Sequence, residues 1–216
     1  MNIIITKTTL LPTPFVGTTI KVRATDTART FGIYMAVLAN NLVPATVDWG
    51  DGTRDVLATS TFSTAHEYAE NGDYTIRISD DIKEAKFIGT DSPDAASYAY
   101  AELPIAFATN ATKLVSLNGF ALAHCHNLTE LDLDDARIAT LVQGPFKNCT
   151  GLRGEIRLPS VSRFTHSDIT FPFAGCTGGI TKIHFAAANE EAIKATTAYR
   201  TDPTLGTGTA EVVFDL

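Results

Sequence analysis

The residues best able to do chemistry in this chain gather around its three cysteines. His124, Cys125 and His126 are consecutive, and a thiol between two imidazoles could ligate zinc or act as an activated nucleophile. A zinc site needs four converging ligands, commonly in two separated pairs, and no second pair stands in the sequence. In an extended segment, alternation turns both histidines away from the cysteine. Cys125 also has counterparts. Leu122-Ala-His-Cys125, Phe146-Lys-Asn-Cys149 and Phe173-Ala-Gly-Cys176 each set a large apolar residue three positions before a cysteine, and the cysteines lie 24 and 27 residues apart. A cysteine that recurs with a repeat reads as a core rung, where a free thiol acts as a small hydrophobe. Three cysteines cannot all pair within one chain, and no bridge is expected among them.

Carboxylates supply the other candidates. Asp48, Asp51 and Asp55 surround a Gly-Asp-Gly turn. A catalytic pair needs a cleft and two different environments, whereas the needs of a tight turn explain these residues without catalysis. Glu130, Asp132, Asp134 and Asp135 form an acidic cluster of the oxygen-rich kind that calcium prefers. It lacks the glycine spacing of a calcium loop, so solvated charge is the simpler reading. The remaining histidines, His66, His166 and His184, are scattered. Asn110-Ala-Thr112, Asn127-Leu-Thr129 and Asn148-Cys-Thr150 match N-glycosylation sequons, which matter only where that machinery exists. No GxSxG, HExxH, GxGxxG or P-loop phrase occurs. No metal or cofactor is expected.

The repeat must position all of these groups. After Cys125 come Leu128, Leu131 and Leu133; after Cys149, Leu152, Ile156 and Leu158; after Cys176, an extra Gly178-Gly179 and then Ile180, Ile183 and Phe185. Self-similarity at this period predicts a solenoid. Ile138 and Leu141, then Val161 and Phe164, are expected to line its opposite wall. Leu114 and Leu117 read as a degenerate opening coil, and Lys86-Phe-Ile88-Gly as a first strand. Aligning the coils places Asp132, Arg157 and His184 in one outward column and Glu130, Glu155 and Lys182 in a second. These six residues are the expected binding face. Taken singly, each also reads as a solubilising residue in ladder ion pairs such as Asp132–Arg157, worth about 0–1 kcal/mol. A cap follows: a helix over 189–199 with Asn189 as N-cap and acids in its first turn, a loop, and a strand over 211–215.

The first part of the chain reads as all-β. Runs at 18–23, 30–38, 46–49 and 74–78 are rich in β-branched and aromatic residues. Turn signals at Asn40-Asn41, Gly50-Asp51-Gly52 and Asn71-Gly72-Asp73 separate them. In Val47-Asp-Trp-Gly-Asp-Gly-Thr53, Val47 and Trp49 face inward and Asp48 outward, and both glycines are set for positive φ. In His66-Glu-Tyr68-Ala-Glu-Asn-Gly72-Asp-Tyr74-Thr-Ile76-Arg-Ile78, Tyr74, Ile76 and Ile78 share a face. Together these two phrases resemble the PKD domain, an immunoglobulin-like β-sandwich, over about residues 15–80. Val47 stands where that family usually has an aromatic residue. The F-x-x-C-x-x-L core over 107–185 resembles BspA-like leucine-rich repeats, with Leu122 replacing Phe in the first copy. The PKD resemblance implies a spacer or binding module without catalysis. The repeat resemblance implies surface attachment.

Bulk properties bound the rest. Apolar residues make up 44% and charged residues 19% of 216, so a packed core is expected. The net charge of −7, without a basic run, argues against nucleic acid. No apolar stretch approaches a bilayer span. The N-terminus, MNIIITKTTLLPTP, does not read as a secretory signal, because its apolar run is short and Lys7 follows it. The expected architecture is mainly β: an immunoglobulin-like sandwich over 1–82, then a short leucine-rich-repeat solenoid with a helix/strand cap over 83–216. The expected function is non-enzymatic adhesion or recognition of a protein or glycan, extracellular or at a cell surface if a leader was removed. The alternatives are a particle protein of phage or prophage, lying in the particle or the cytoplasm, and an enzyme on an irregular scaffold.

Overall fold

Residues 17–24 and 72–79 each alternate apolar and polar side chains, and both form long central strands. The structure, a computed structural model, describes residues 15–35, 44–57, 62–85, 87, 100–165 and 171–216. The chain is mainly β, with 40% strand and 9% helix, in several sheets of which none is closed. The N-terminal segment 1–14, the Asn40-Asn41 turn and His166 lie outside the described residues. The strand expected at Lys86–Gly89 lies largely outside them as well.

Strands β1 (Gly17–Ala24), β3 (Ala45–Asp48), β4 (Arg54–Leu57) and β6 (Gly72–Ser79) come from the first part of the chain. Strands β8 (Pro104–Thr109) and β10 (Glu130–Asp132) come from the second part. All six join one sheet in the order β10-β8-β1-β6-β3-β4. The sheet therefore runs across residue 82, where the division between two domains is expected. β8 pairs antiparallel with β1 and parallel with β10. Its local sequence does not mark it as a strand, because Ala106 and Ala108 carry little β-propensity and Pro104 reads as a breaker. Its Phe107 is buried beneath the sheet. Strands β2 (Thr30–Met35) and β5 (Phe62–Glu67) form a separate antiparallel pair, and Phe31 and Ile33 of β2 enter the same core as Ile20, Ile76 and Ile78.

The repeat residues build two further sheets of parallel strands. One contains β7 (Glu84–Ala85), β9 (Ser116–Leu117), β11 (Thr140–Val142) and β13 (Arg163–Thr165). The other contains β12 (Gly154–Leu158), β14 (Ile180–Phe185) and β15 (Glu211–Phe214). Between the strands the backbone climbs by regular steps: Leu122 N donates to Pro145 O, Phe146 N to Pro172 O, and Phe173 N to Leu205 O. Leu205 thus accepts where Pro145 and Pro172 do, and the segment that supplies it has no cysteine. Gly178 is the counterpart of Gly151 rather than an insertion. A Cβ at either would lie 2.1–2.6 Å from carbonyl oxygens of the preceding turn, so no side chain fits. The spacing from cysteine to strand is the same in the second and third copies, from Cys149 to Glu155 and from Cys176 to Lys182; a local bulge shifts only Gly154, which pairs with Ile180.

The expected helix over 189–199 is broken. A 3₁₀ turn at Ala187–Asn189 leads into one-turn helices at Glu190–Lys194 and Thr197–Thr201. Asn189 stands at the N-cap position, but its side chain makes no cap bond. It donates instead to Val161 O at 3.1 Å, tying the segment to the repeat. Thr196 caps the second helix by accepting from Tyr199 N at 3.2 Å.

Candidate functional site

The carboxylates of the Gly-Asp-Gly turn are all engaged by nearby donors. Gly50 and Gly52 hold φ of 85° and 94°, as the turn requires. Asp48 Oδ1 accepts from Gly50 N at 3.0 Å, and its Oδ2 pairs with Arg54 at 2.8 Å. Asp55 Oδ2 accepts from Trp49 Nε1 and from Thr64 Oγ1, each at 3.1 Å. Asp51 accepts from Thr53 N at 3.0 Å and Thr53 Oγ1 at 2.6 Å, and His66 Nε2 lies 2.7 Å from its other oxygen. Burial works against ionisation of Asp51, but the bonds from Thr53 and His66 outweigh it and hold the carboxyl at about 2. His66 stacks on Trp49 with ring centroids 4.9 Å apart, and Tyr68 donates to Trp49 O at 3.0 Å. This corner is a structural clasp between strands.

The cysteine column is likewise structural. Cys125, Cys149 and Cys176 are free and buried. Cys149 Sγ donates to Leu122 O at 3.0 Å and Cys176 Sγ to Phe146 O at 2.9 Å. Each thiol thus reaches the carbonyl that opens the preceding copy of the phrase. Burial pushes the Cys149 thiol well above the usual range. At Cys176 the hydrogen bond with Cys149 raises the thiol most, and burial adds to it. The flanking polar residues form ladders of their own. His124 Nδ1 lies 3.3 Å from Asn148 Nδ2, and His126 Nδ1 lies 3.2 Å from Thr150 Oγ1. Among the described residues, no three or more His, Cys, Asp or Glu side chains are grouped to hold a metal ion. The sequon asparagines are also engaged: Asn110 with Gly17 N, Asn127 with Glu102 O, and Asn148 in the ladder.

The six residues of the expected binding face fall into two sheets. Glu155 pairs with Lys182 and Arg157 with His184, as the column alignment requires. Glu130 and Asp132 pair instead with Ala106 and Ala108 of β8. Arg157 forms its ion pair with Asp134 at 2.9 Å, not with Asp132. Asp132 instead accepts from Asp134 N at 3.2 Å, closing a turn. His184 is not an exposed face residue. It is 6% exposed, and its Nδ1 lies 2.8 Å from Asp215 Oδ1. Its Nε2 lies 3.3 Å from Glu155 Oε2 without hydrogen-bond geometry. That histidine lowers the Asp215 carboxyl and ties the chain end after β15 to the neighbouring strands. Lys182 faces Glu211 at 3.9 Å.

The outer face of the six-stranded sheet offers a more open arrangement. Two registered rows cross it: Thr75, Lys21, Ala106, Glu130 and, one pleat further, Arg77, Thr19, Ala108, Asp132. In both rows a short alanine lies between larger polar side chains, so β8 forms the floor of a trough. A hollow of about 640 Å³ is lined by Lys21, Arg23, Ala106 and Glu130, and one of about 300 Å³ by Thr19, Ala108 and Asp132. The two hollows lie end to end along the strands. Ile105 is the extra residue of a bulge between β8 and β1 and lines the larger hollow. Bulges often re-aim side chains beside functional sites. Sequence reasoning found the acidic wall, Glu130 and Asp132, but missed the floor and the basic wall, because both depend on β8 joining β1. The one available signal was the alternation of Ile105 and Phe107 with two alanines.

No family model matches this chain, and no curated protein or solved structure is found similar to it. Among the described residues, no helix is long and apolar enough to cross a membrane.

Proposed function

We propose that this chain is a non-enzymatic recognition module that binds a protein or glycan partner at the outer face of its six-stranded sheet. In this reading residues 15–80 form a PKD-like sandwich, and the repeats over 107–185 form a BspA-like solenoid whose first strands extend the sandwich sheet. The parallel strands set one repeat apart support the solenoid part of the reading. Both families suggest a setting at a cell surface. The observation that carries the binding site is the trough over Ala106 and Ala108, walled by charged side chains and open to solvent. Catalysis is left out because the turn carboxylates are each taken up by local donors and the thiols are buried.

Protein and glycan arrays probed with the wild type and with Ala108→Trp, which fills the trough, test the proposal. A ligand bound by the wild type and lost by the variant is the expected outcome. If nothing binds, or if every ligand binds both proteins equally, the face is not the site.

A further inference from the structure

We infer that the trough takes an extended peptide whose acidic and basic residues alternate. The inference rests on the recognition reading above and adds the class of partner.

Lys21 and Glu130 stand on either side of Ala106, in register and two strands apart. Strand spacing puts their backbones about 10 Å from one another. Neither makes an ion pair with a described residue, although both line the same hollow. Arg23 continues the basic wall toward the Pro104 end, and Asp132 continues the acidic one toward the Ala108 end, opposite Thr19; Arg153, also on the lining, donates to Gly178 O. Arg23 is bound to Asp73 at 2.7 Å, but both side chains are 57% exposed, and a surface pair of this kind is worth little and exchanges readily.

The dimensions suit a single extended chain. From Thr19 to Arg23 the wall runs about 13 Å at strand rise, the length of four to five residues. An extended peptide lying along this floor sends successive side chains to opposite sides. One parity then faces Lys21 and Arg23, and the other faces Glu130 and Asp132. Charge complementarity selects acidic residues at the first parity and Lys or Arg at the second. The alanine floor lets the peptide backbone approach closely and offers no aromatic ring for a sugar to stack on. Phe15, at the far end of the smaller hollow, has Arg77 over its ring at 6.0 Å.

A displayed library of random hexapeptides, selected separately on the wild type, on Ala108→Trp and on Lys21→Glu, tests the inference beside a glycan array. Circular dichroism and Trp49 fluorescence check that each variant is folded. Wild-type selections should enrich peptides with acids at one parity and bases at the other. Their binding should weaken at least about tenfold in about 0.5 M salt, because these charges are exposed and screened. Ala108→Trp should lose them, and Lys21→Glu should select peptides with a base in place of one acid. Should Ala108→Trp fail to fold, the altered preference of Lys21→Glu decides. Enriched peptides without alternation, or alternating peptides that bind all three proteins equally, overturn the inference. Glycans that bind in an Ala108-dependent way while peptides do not overturn the peptide assignment alone. Absence of any ligand sensitive to these positions overturns the recognition reading with it.

Discussion

His124, Asn148 and Gly175 occupy one place in successive copies of the repeat, directly before the cysteine. All three have positive φ, at 65°, 59° and 74°. The turn that delivers each thiol inward imposes this conformation, and it suits Gly and Asn better than most residues. A Cβ on Gly175 would lie 2.0 Å from Asn148 Oδ1. Gly175→Ala should therefore destabilise by about 1–3 kcal/mol. In an Asn148→Ala background the added cost should be smaller, because the clashing oxygen is gone; urea denaturation of the four proteins measures the difference. A second residue-scale prediction concerns Asp51. Its folded carboxyl gives up its proton near pH 2, against an ordinary value of 3.8, so between those values the folded state binds fewer protons than the unfolded one. The stability it contributes is complete above about pH 4 and is lost as pH falls through 2. His66→Ala should move the Asp51 titration upward, which carboxyl-detected NMR would show.

At the scale of elements, each copy of the phrase buries its thiol and the large apolar residue before it. Phe146 and Phe173 stack with centroids 5.3 Å apart, directly beside the cysteine column. All three thiols are buried, Cys149 and Cys176 also donate to backbone carbonyls, and the thiolate is the form that reacts. Iodoacetamide at pH 8 should leave all three cysteines unmodified in the native protein and label all three after denaturation. Rapid labelling of Cys125, Cys149 or Cys176 in the folded state, or a Cys125–Cys149 bridge seen by mass spectrometry, would contradict the packing. The last strand is held differently. β15 is an edge strand, and such edges invite unwanted pairing unless protected. Its Glu211 carries charge and faces Lys182 at 3.9 Å, and the His184–Asp215 contact secures the segment that follows it.

For the whole molecule, one sheet joins strands from both parts of the chain. β8 brings the second part of the chain against β1 of the first, and Phe107 packs on Phe87 with centroids 5.2 Å apart. One buried cluster includes Trp49, Ile76, Phe107, Leu128 and Phe146. Trp49 is the sole tryptophan and reports on the first part alone, whereas circular dichroism reports on both. The two signals should change together in urea, as expected for one cooperative unit. Phe107→Ala should cost about 3–5 kcal/mol and shift both transitions equally. Separate midpoints would show two independent domains.

The sequence alone determined the periodic features. Phe-x-x-Cys and the apolar residues after it recur because each copy buries the same positions in one core, so buried Cys125, Cys149 and Cys176 and the Glu155–Lys182 and Arg157–His184 registers were legible. The Val47–Thr53 turn was legible because its geometry is local and needs glycine. The trough was not legible. Ala106, Ala108, Lys21 and Arg23 carry no local signal of a site, and His184 gives no sign that Glu155 and Asp215 will enclose it. Those outcomes depend on which strands meet. Strand pairing between residues some 85 positions apart, such as Lys21 and Ala106, is decided by the packing of the whole chain rather than by any one segment of it.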